Sequence, residues 1–163
     1  MKNNSNDSDI LLSSSEQSGQ NEYSSKFWGK RGSGILLISL ETGRILLMLR
    51  SSLVNEPGTW GIPGGKVDDG EEIIYSALRE LKEETGYCGL IDLFEVYTFR
   101  EEEFEYHNFL GLIPNEFEAQ LNWESLDAKW FELTALPGNL HFGVKLLLEN
   151  SIEQIQNVLS NRH

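Results

Sequence analysis

The sequence predicts an α/β fold, a sandwich with helices packed on both sides of a mixed β-sheet. Two observations predict it. Short apolar runs of strand character recur between residues 34 and 133. Two other segments, one mid-chain and one C-terminal, repeat their apolar residues at the 3/4 spacing of an amphipathic helix.

The elements follow in order. Residues 1–25 are rich in Ser, Asn, Gln and Asp and have no apolar period. Such a segment buries too little surface to offset its ordering entropy, so a disordered tail is expected there, with one folded domain over 26–163. "GILLISL" (34–40) and "RILLMLRSS" (44–52), joined by "ETG", read as a β-hairpin with both strands largely buried. Pro57-Gly58 signals a turn. "TWGIPGGKV" is a short strand running into a glycine-rich loop. A helix follows over about 71–85. Asp69 is expected to cap it, with Glu72 completing a capping box, and Gly86 to end it. Its apolar stripe is Ile73, Ile74, Ala77, Leu78 and Leu81. "LIDLFEVYTFRE" and "FEYHNFLGLIP" are two longer strands joined by an acidic tip at Glu101 to Glu103. "AKWFEL" (128–133) is a further short strand. Val144, Leu147, Leu148, Ile152, Ile155, Val158 and Leu159 mark the C-terminal helix.

A chain of 163 residues suits one domain with one core. The net charge of −13 argues against a nucleic-acid backbone or an anionic membrane as the main partner. A phosphate-bearing substrate would need a local device against repulsion, such as a divalent cation. Cys88 is the only cysteine, so no intrachain disulfide forms, and a reducing compartment is the simpler reading. No apolar run approaches membrane-spanning length, and the N-terminus lacks a secretory apolar core. A cytoplasmic protein is the expectation.

The stretch "RELKEETGY" (79–87) concentrates Glu80, Glu83 and Glu84 within about one helical turn. Like charges so placed repel and need water or a cation. A solvated acidic face would lie opposite the apolar stripe. Here Glu84 follows Ala77 by seven residues and Ile73 by eleven, which puts it at the edge of the buried stripe, with Glu80 beside it and Glu83 one step round. Carboxylates drawn partly out of water take up protons or bind a cation, and oxygen ligands suit Mg²⁺ or Mn²⁺. Arg79 can pair with Glu83 four residues on. Upstream, Gly64, Gly65 and Gly70 let backbone N–H groups approach an anion near a helix N-terminus, although a plain tight turn has the same composition.

Together these residues resemble the Nudix box, G-x5-E-x7-R-E-U-x-E-E-x-G-U with U aliphatic. It runs here through Gly65, Glu71, Arg79, Glu80, Leu81, Glu83, Glu84 and Gly86, and departs from the pattern only at Tyr87. The resemblance covers roughly residues 30 to 160. It implies a Nudix-like α/β/α sandwich that cleaves a nucleoside diphosphate linked to another moiety, with Mg²⁺ or Mn²⁺ as cofactor. By this resemblance Glu83 and Glu84 are metal ligands, Glu80 is ligand or general base, and Arg79 orients a glutamate. The backbone of Gly65 joins the metal site, and Glu71 and Gly86 are structural. In some members the base lies outside the box, and Glu124 and Asp127 are candidates here. Both are equally well read as surface acids. The partner implied is a small nucleotide-type pyrophosphate, and a homodimer is compatible with the family.

For the substrate, Arg50 is a candidate phosphate contact or a strand-end surface charge, and Gly64 a candidate backbone contact. Trp28 and Phe142 are candidates to stack on a base, or core residues. Lys30 and Arg31 form with Trp28 a compact basic-aromatic patch. His107, on an apolar strand, reads as a core or pocket histidine, and His141 is undecided. A proline about sixteen residues after the box, as in members acting on ADP-ribose, is absent. Phe104 and Tyr106 only approach the tyrosine position of members acting on diadenosine polyphosphates. Two alternatives stay open. One is a catalytically inactive Nudix-fold module that senses a nucleotide, and the other is a protein whose acidic helix is a docking face.

Overall fold

The computed structural model describes residues 30–161. The expected tail over 1–25 and the candidate Trp28 lie outside them. Seven strands form one mixed sheet: β1 (Arg31–Ser39), β2 (Ile45–Arg50), β3 (Trp60–Gly61), β4 (Gly64–Lys66), β5 (Asp92–Glu101), β6 (Phe104–Ile113) and β7 (Ser125–Phe131). Two helices accompany them, α1 (Ile73–Thr85) and α2 (Phe142–Ser160). The main path runs β3-β2-β1-β6-β5, with β4 paired to β1 and β7 to β2.

The apolar runs at 34–40 and 44–52 become β1 and β2, as their composition predicts. Alternate side chains leave opposite faces of a strand. Leu36, Ile38, Ile45 and Leu47 pack with Val144, Leu147 and Ile155 of α2. Ile35, Leu37 and Leu46 pack with Ala77 and Leu81 of α1. A run apolar at every position is what a strand covered on both faces requires, and the sandwich follows from it.

One feature of the sheet positions the site. β1 pairs in parallel with β6 along its whole length, from Arg31↔Glu105 to Ser39↔Ile113. On its other side, β1 meets β2 only at Ile38↔Ile45, and then β4 from Gly34↔Gly64 to Gly32↔Lys66. Because β2 parts from β1, the glycine-rich β4 enters the sheet beside α1.

Three local expectations are corrected. Helix α1 begins at Ile73 with Glu72 as its N-cap residue, and no side chain caps it. Asp69 therefore has no capping role. Glu71 instead accepts from Asp68 N at 3.1 Å and pairs with Arg79. Ile74 lies outside the buried stripe at 39% exposure, because the buried arc is completed by Ser76, Glu80, Glu84 and Thr85. β7 starts at Ser125 rather than 128, where it pairs with Arg50 across a register shift in β2. Gly86 ends α1 as expected, with φ 74° and its N–H on Lys82 O at 2.8 Å.

Candidate active site

α1 presents its glutamates in unequal settings. Glu84 is 5% exposed and Glu80 9% exposed, whereas the Glu83 side chain is 55% exposed. Glu84 Oε1 accepts from Gly64 N at 2.9 Å. Burial pushes the Glu84 carboxyl well above the usual range, and the negative charges of Glu124 and Glu80 push it further. Burial likewise raises Glu80, against the opposing pull of Arg79. Glu124, in the loop before β7, is raised by its own burial, and Glu83 adds to the rise. Its backbone carbonyl accepts from Ser51 N at 2.8 Å, which anchors the loop beside the end of β2. Asp127, the other loop candidate, accepts from Ala128 N at 2.8 Å and pairs with Lys129 at 3.2 Å.

Arg79 organises the acids. Its Nε and Nη2 grip Glu71 at 2.9 and 3.0 Å, and its Nη1 reaches Glu80 at 2.8 Å and Glu83 at 3.3 Å. Nη2 also donates to Lys66 O at 3.0 Å. The expected Arg79–Glu83 pair is present and is the longest of these contacts to glutamate. The fork on Glu71 holds that carboxyl down at about pH 2. Gly65 lies against the same cluster: a Cβ added there would fall 2.5 Å from the Glu80 carboxyl. A side chain at this point would have to displace the Glu80 carboxyl.

Three carboxylates drawn out of water near one another are an excess of negative charge that a hard divalent cation offsets. Glu84, Glu80 and the more exposed Glu83 suit such an ion in type and charge, with the backbone of Gly64 and Gly65 alongside and Glu124 near enough to act on Glu84. Among the described residues no group of three or more His, Cys, Asp or Glu side chains is drawn together around one point. Arg79 accounts for part of this, because it draws Glu80 and Glu83 to itself.

Beside the carboxylates opens a cavity of about 380 Å³ on the α2 side of the sheet, lined by Gly64, Arg50, Tyr106 and Asn108 among others. Among the described residues Arg50 is its only lysine or arginine. Burial lowers the Arg50 pKa below the ordinary arginine value, opposed by Tyr106, Glu84, Glu56 and Glu124. Its Nε donates to Asn55 O at 2.6 Å, which fixes the guanidinium. The far wall is aromatic: Tyr97, Phe99, Phe104 and the half-exposed Phe142. His141 is the N-cap of α2, its Nδ1 accepting from Gly143 N at 3.0 Å and its Nε2 meeting Glu56 Oε2 at 2.8 Å. His107 lies outside the cavity lining, between Glu95 at 2.6 Å and Glu105 at 3.2 Å.

The structure thus links Glu80 and Glu83 through Arg79, sets Gly64 against Glu84 and Gly65 against Glu80, and brings Glu124 near enough to act on the charge of Glu84, with Arg50 and Phe142 on the adjoining cavity. Sequence reasoning missed Glu56, Phe99 and Asn108 as cavity residues. One signal was available: Tyr106, Asn108, Leu110 and Leu112 alternate along β6, which puts them on one face.

A buried carboxylate pair behind a glycine-rich strand, on this sheet, is a Nudix arrangement. The family model for the NUDIX domain matches residues 29–150, and the chain belongs to the Nudix family. A Bacillus subtilis protein provisionally named 8-oxo-dGTP diphosphatase is 32% identical over 108 residues, covering 66% of this chain and 69% of that protein. The crystal structure of a MutT NUDIX hydrolase from Burkholderia pseudomallei superposes with TM-score 0.59 at 28% identity, over 74% of this chain and 95% of that one. A C. elegans Ap4A hydrolase shares the fold with TM-score 0.63 at 24% identity, over 77% and 98%. Three other curated relatives are matched over only 14% to 27% of their own length.

Proposed function

We propose that the protein is a divalent-metal-dependent pyrophosphohydrolase that cleaves a nucleoside diphosphate linked to another moiety. The observation that carries this reading is Glu84, a nearly buried carboxylate bonded to Gly64 N and acted on by the charges of Glu124, Glu80 and the cavity's Arg50. The relatives' names, 8-oxo-dGTP diphosphatase and Ap4A hydrolase, are of the same reaction class.

Glu84, Glu83 and Glu80 would hold Mg²⁺ or Mn²⁺, with the Gly65 backbone beside them. Such a cation, when bound, offsets the charge of the pyrophosphate and acidifies an attacking water. Arg79 keeps Glu80 and Glu83 in fixed rotamers, so their geometry is set before substrate arrives. Glu124 is the carboxylate outside the helix that reaches the site, and we assign it the proton from water in preference to Asp127, which Lys129 and Ala128 N already engage. Arg50 binds a phosphate of the substrate, and Phe142 with Phe99 receives the ring of its base.

The test is a panel of nucleotide pyrophosphates incubated with Mg²⁺ or Mn²⁺, with product identification. Metal-dependent release of a phosphate product, lost in Glu83→Gln and Glu84→Gln, is expected. Tight nucleotide binding with no hydrolysis of any member would reject the enzyme in favour of a sensor module.

A further inference from the structure

Resting on the reading that the cavity receives the base of a nucleotide, we infer that Asn108 determines specificity by accepting a hydrogen bond from an exocyclic amino group. Asn108 is 4% exposed and lines the cavity. Its Nδ2 donates to Tyr97 O at 3.1 Å and Tyr106 O at 3.5 Å. Only the NH₂ end of an amide can donate to a carbonyl, so the bond to Tyr97 O, with the longer contact to Tyr106 O beside it, orients the side chain. Oδ1 is the polar atom left over. Among the described residues no group donates to it. Nor is it sealed in the protein: the buried side-chain polar atoms without partners are Ser33 Oγ and Ser151 Oγ. An oriented acceptor therefore opens onto the cavity.

The rest of the lining selects what meets that acceptor. Phe99 stands edge to face with both Phe104 and Phe142, at 6.4 and 6.2 Å between centroids, and such walls suit a flat ring. Both nitrogens of His141 are occupied, by Gly143 N and by Glu56. Glu56 and Glu101 add negative charge to the lining, which opposes entry of a second phosphate, and Arg50 is the cation among the described lining residues that can hold the anionic end. A ring carrying –NH₂ matches Oδ1. A ring without it leaves the oxygen facing the ligand unpaired, at a cost equivalent to about 10- to 100-fold in affinity.

The experiment removes one amino group at a time from the ligand. Wild-type kcat/KM is measured on triphosphates of adenosine against purine riboside, guanosine against inosine, and cytidine against 2-pyrimidinone riboside. The preferred base is expected to lose about 10- to 100-fold when its amino group is absent, mostly through KM. Asn108→Ala should abolish the difference, and a difference that persists in that variant would overturn the assignment. Should the variant fail to fold, the wild-type pairs decide alone, and equal kcat/KM within every pair overturns it. The same pairs, as monophosphates, are titrated by calorimetry. Pairwise discrimination in Kd without turnover of any triphosphate would sustain the role of Asn108 while rejecting the hydrolase. Equal Kd values reject the role of Asn108 whatever the turnover.

Discussion

The backbone N–H of Gly64 donates to Glu84 Oε1 at 2.9 Å, joining the glycine-rich strand to the last turn of α1. This bond holds a carboxylate in a place where its charge is costly. Glu84→Gln keeps an acceptor for Gly64 and removes the charge. We expect kcat to fall by about 100- to 1000-fold and the metal-free variant to melt above the wild type, since an uncompensated buried charge is gone. Mg²⁺ should raise the melting temperature of the wild type and leave the variant unmoved. Differential scanning fluorimetry with and without EDTA checks the thermal part. Equal Mg²⁺ shifts in both proteins would remove Glu84 from the ligand set.

Arg79 grips Glu71 with two nitrogens and touches Glu80 and Glu83 with a third. Arg79→Ala leaves those acids facing one another, and Arg79→Lys restores the charge without the fork. We expect a loss of about 2–3 kcal/mol for Ala, discounted from a fully buried pair because the arginine is partly exposed, and a partial rescue by Lys. Glu71, held at about pH 2, contributes stability that is present above its ordinary value of 4.5 and lost as pH falls toward 2. Urea unfolding at neutral pH and at pH 3 measures both, and the variants should lose less on acidification than the wild type.

His141 gives a second pH signature. Burial and then Arg50 lower its pKa to about 4, with Glu56 opposing. A histidine lowered in the folded state contributes stability that is present above 6.5 and is lost as pH falls toward 4, because the unfolded chain takes the proton first. Glu84, raised by burial, works the other way: its contribution is present below 4.5 and is lost as pH rises through the raised value. Comparing wild type with His141→Gln cancels Glu84. The wild-type advantage in unfolding free energy should shrink between pH 7 and pH 4. A constant difference across that range would show that His141 does not titrate as its surroundings dictate.

A Cβ at Gly65 would fall 2.5 Å from the Glu80 carboxyl. Gly65→Ala must displace Glu80 or part β4 from α1. We expect kcat to drop by at least about tenfold with a stability loss of about 1–3 kcal/mol. Steady-state kinetics beside thermal melts test it. A variant with normal kcat would mean that the placement of Glu80 does not matter to turnover.

The sequence by itself determined the sandwich and the acidic face of α1. Both are periodic properties: continuous apolar runs mark strands covered twice, and seven- and eleven-residue intervals put Glu84 on the azimuth of Ala77 and Ile73. It also carried the box, from Gly65 to Gly86, because those residues lie on one local strand–loop–helix unit. α1 begins at Ile73 without a side-chain cap, and Glu71 engages Arg79 and Asp68 N, pairings that capping patterns do not contain. The i,i+4 pair of Arg79 with Glu83 is present as its spacing predicts, and the shorter reach back over eight residues to Glu71 is one that no helical interval announces. Only the tertiary structure decided that Glu124 rather than Asp127 approaches the buried acids, that Arg50 is the lone cation of the cavity among the described residues, and that Asn108 Oδ1 opens into it. Each of these depends on which strands are neighbours, on β2 parting from β1, and on the connection before α2 carrying His141 to β3. Distances across a sheet are set by long-range pairing, and no local interval in the chain encodes them.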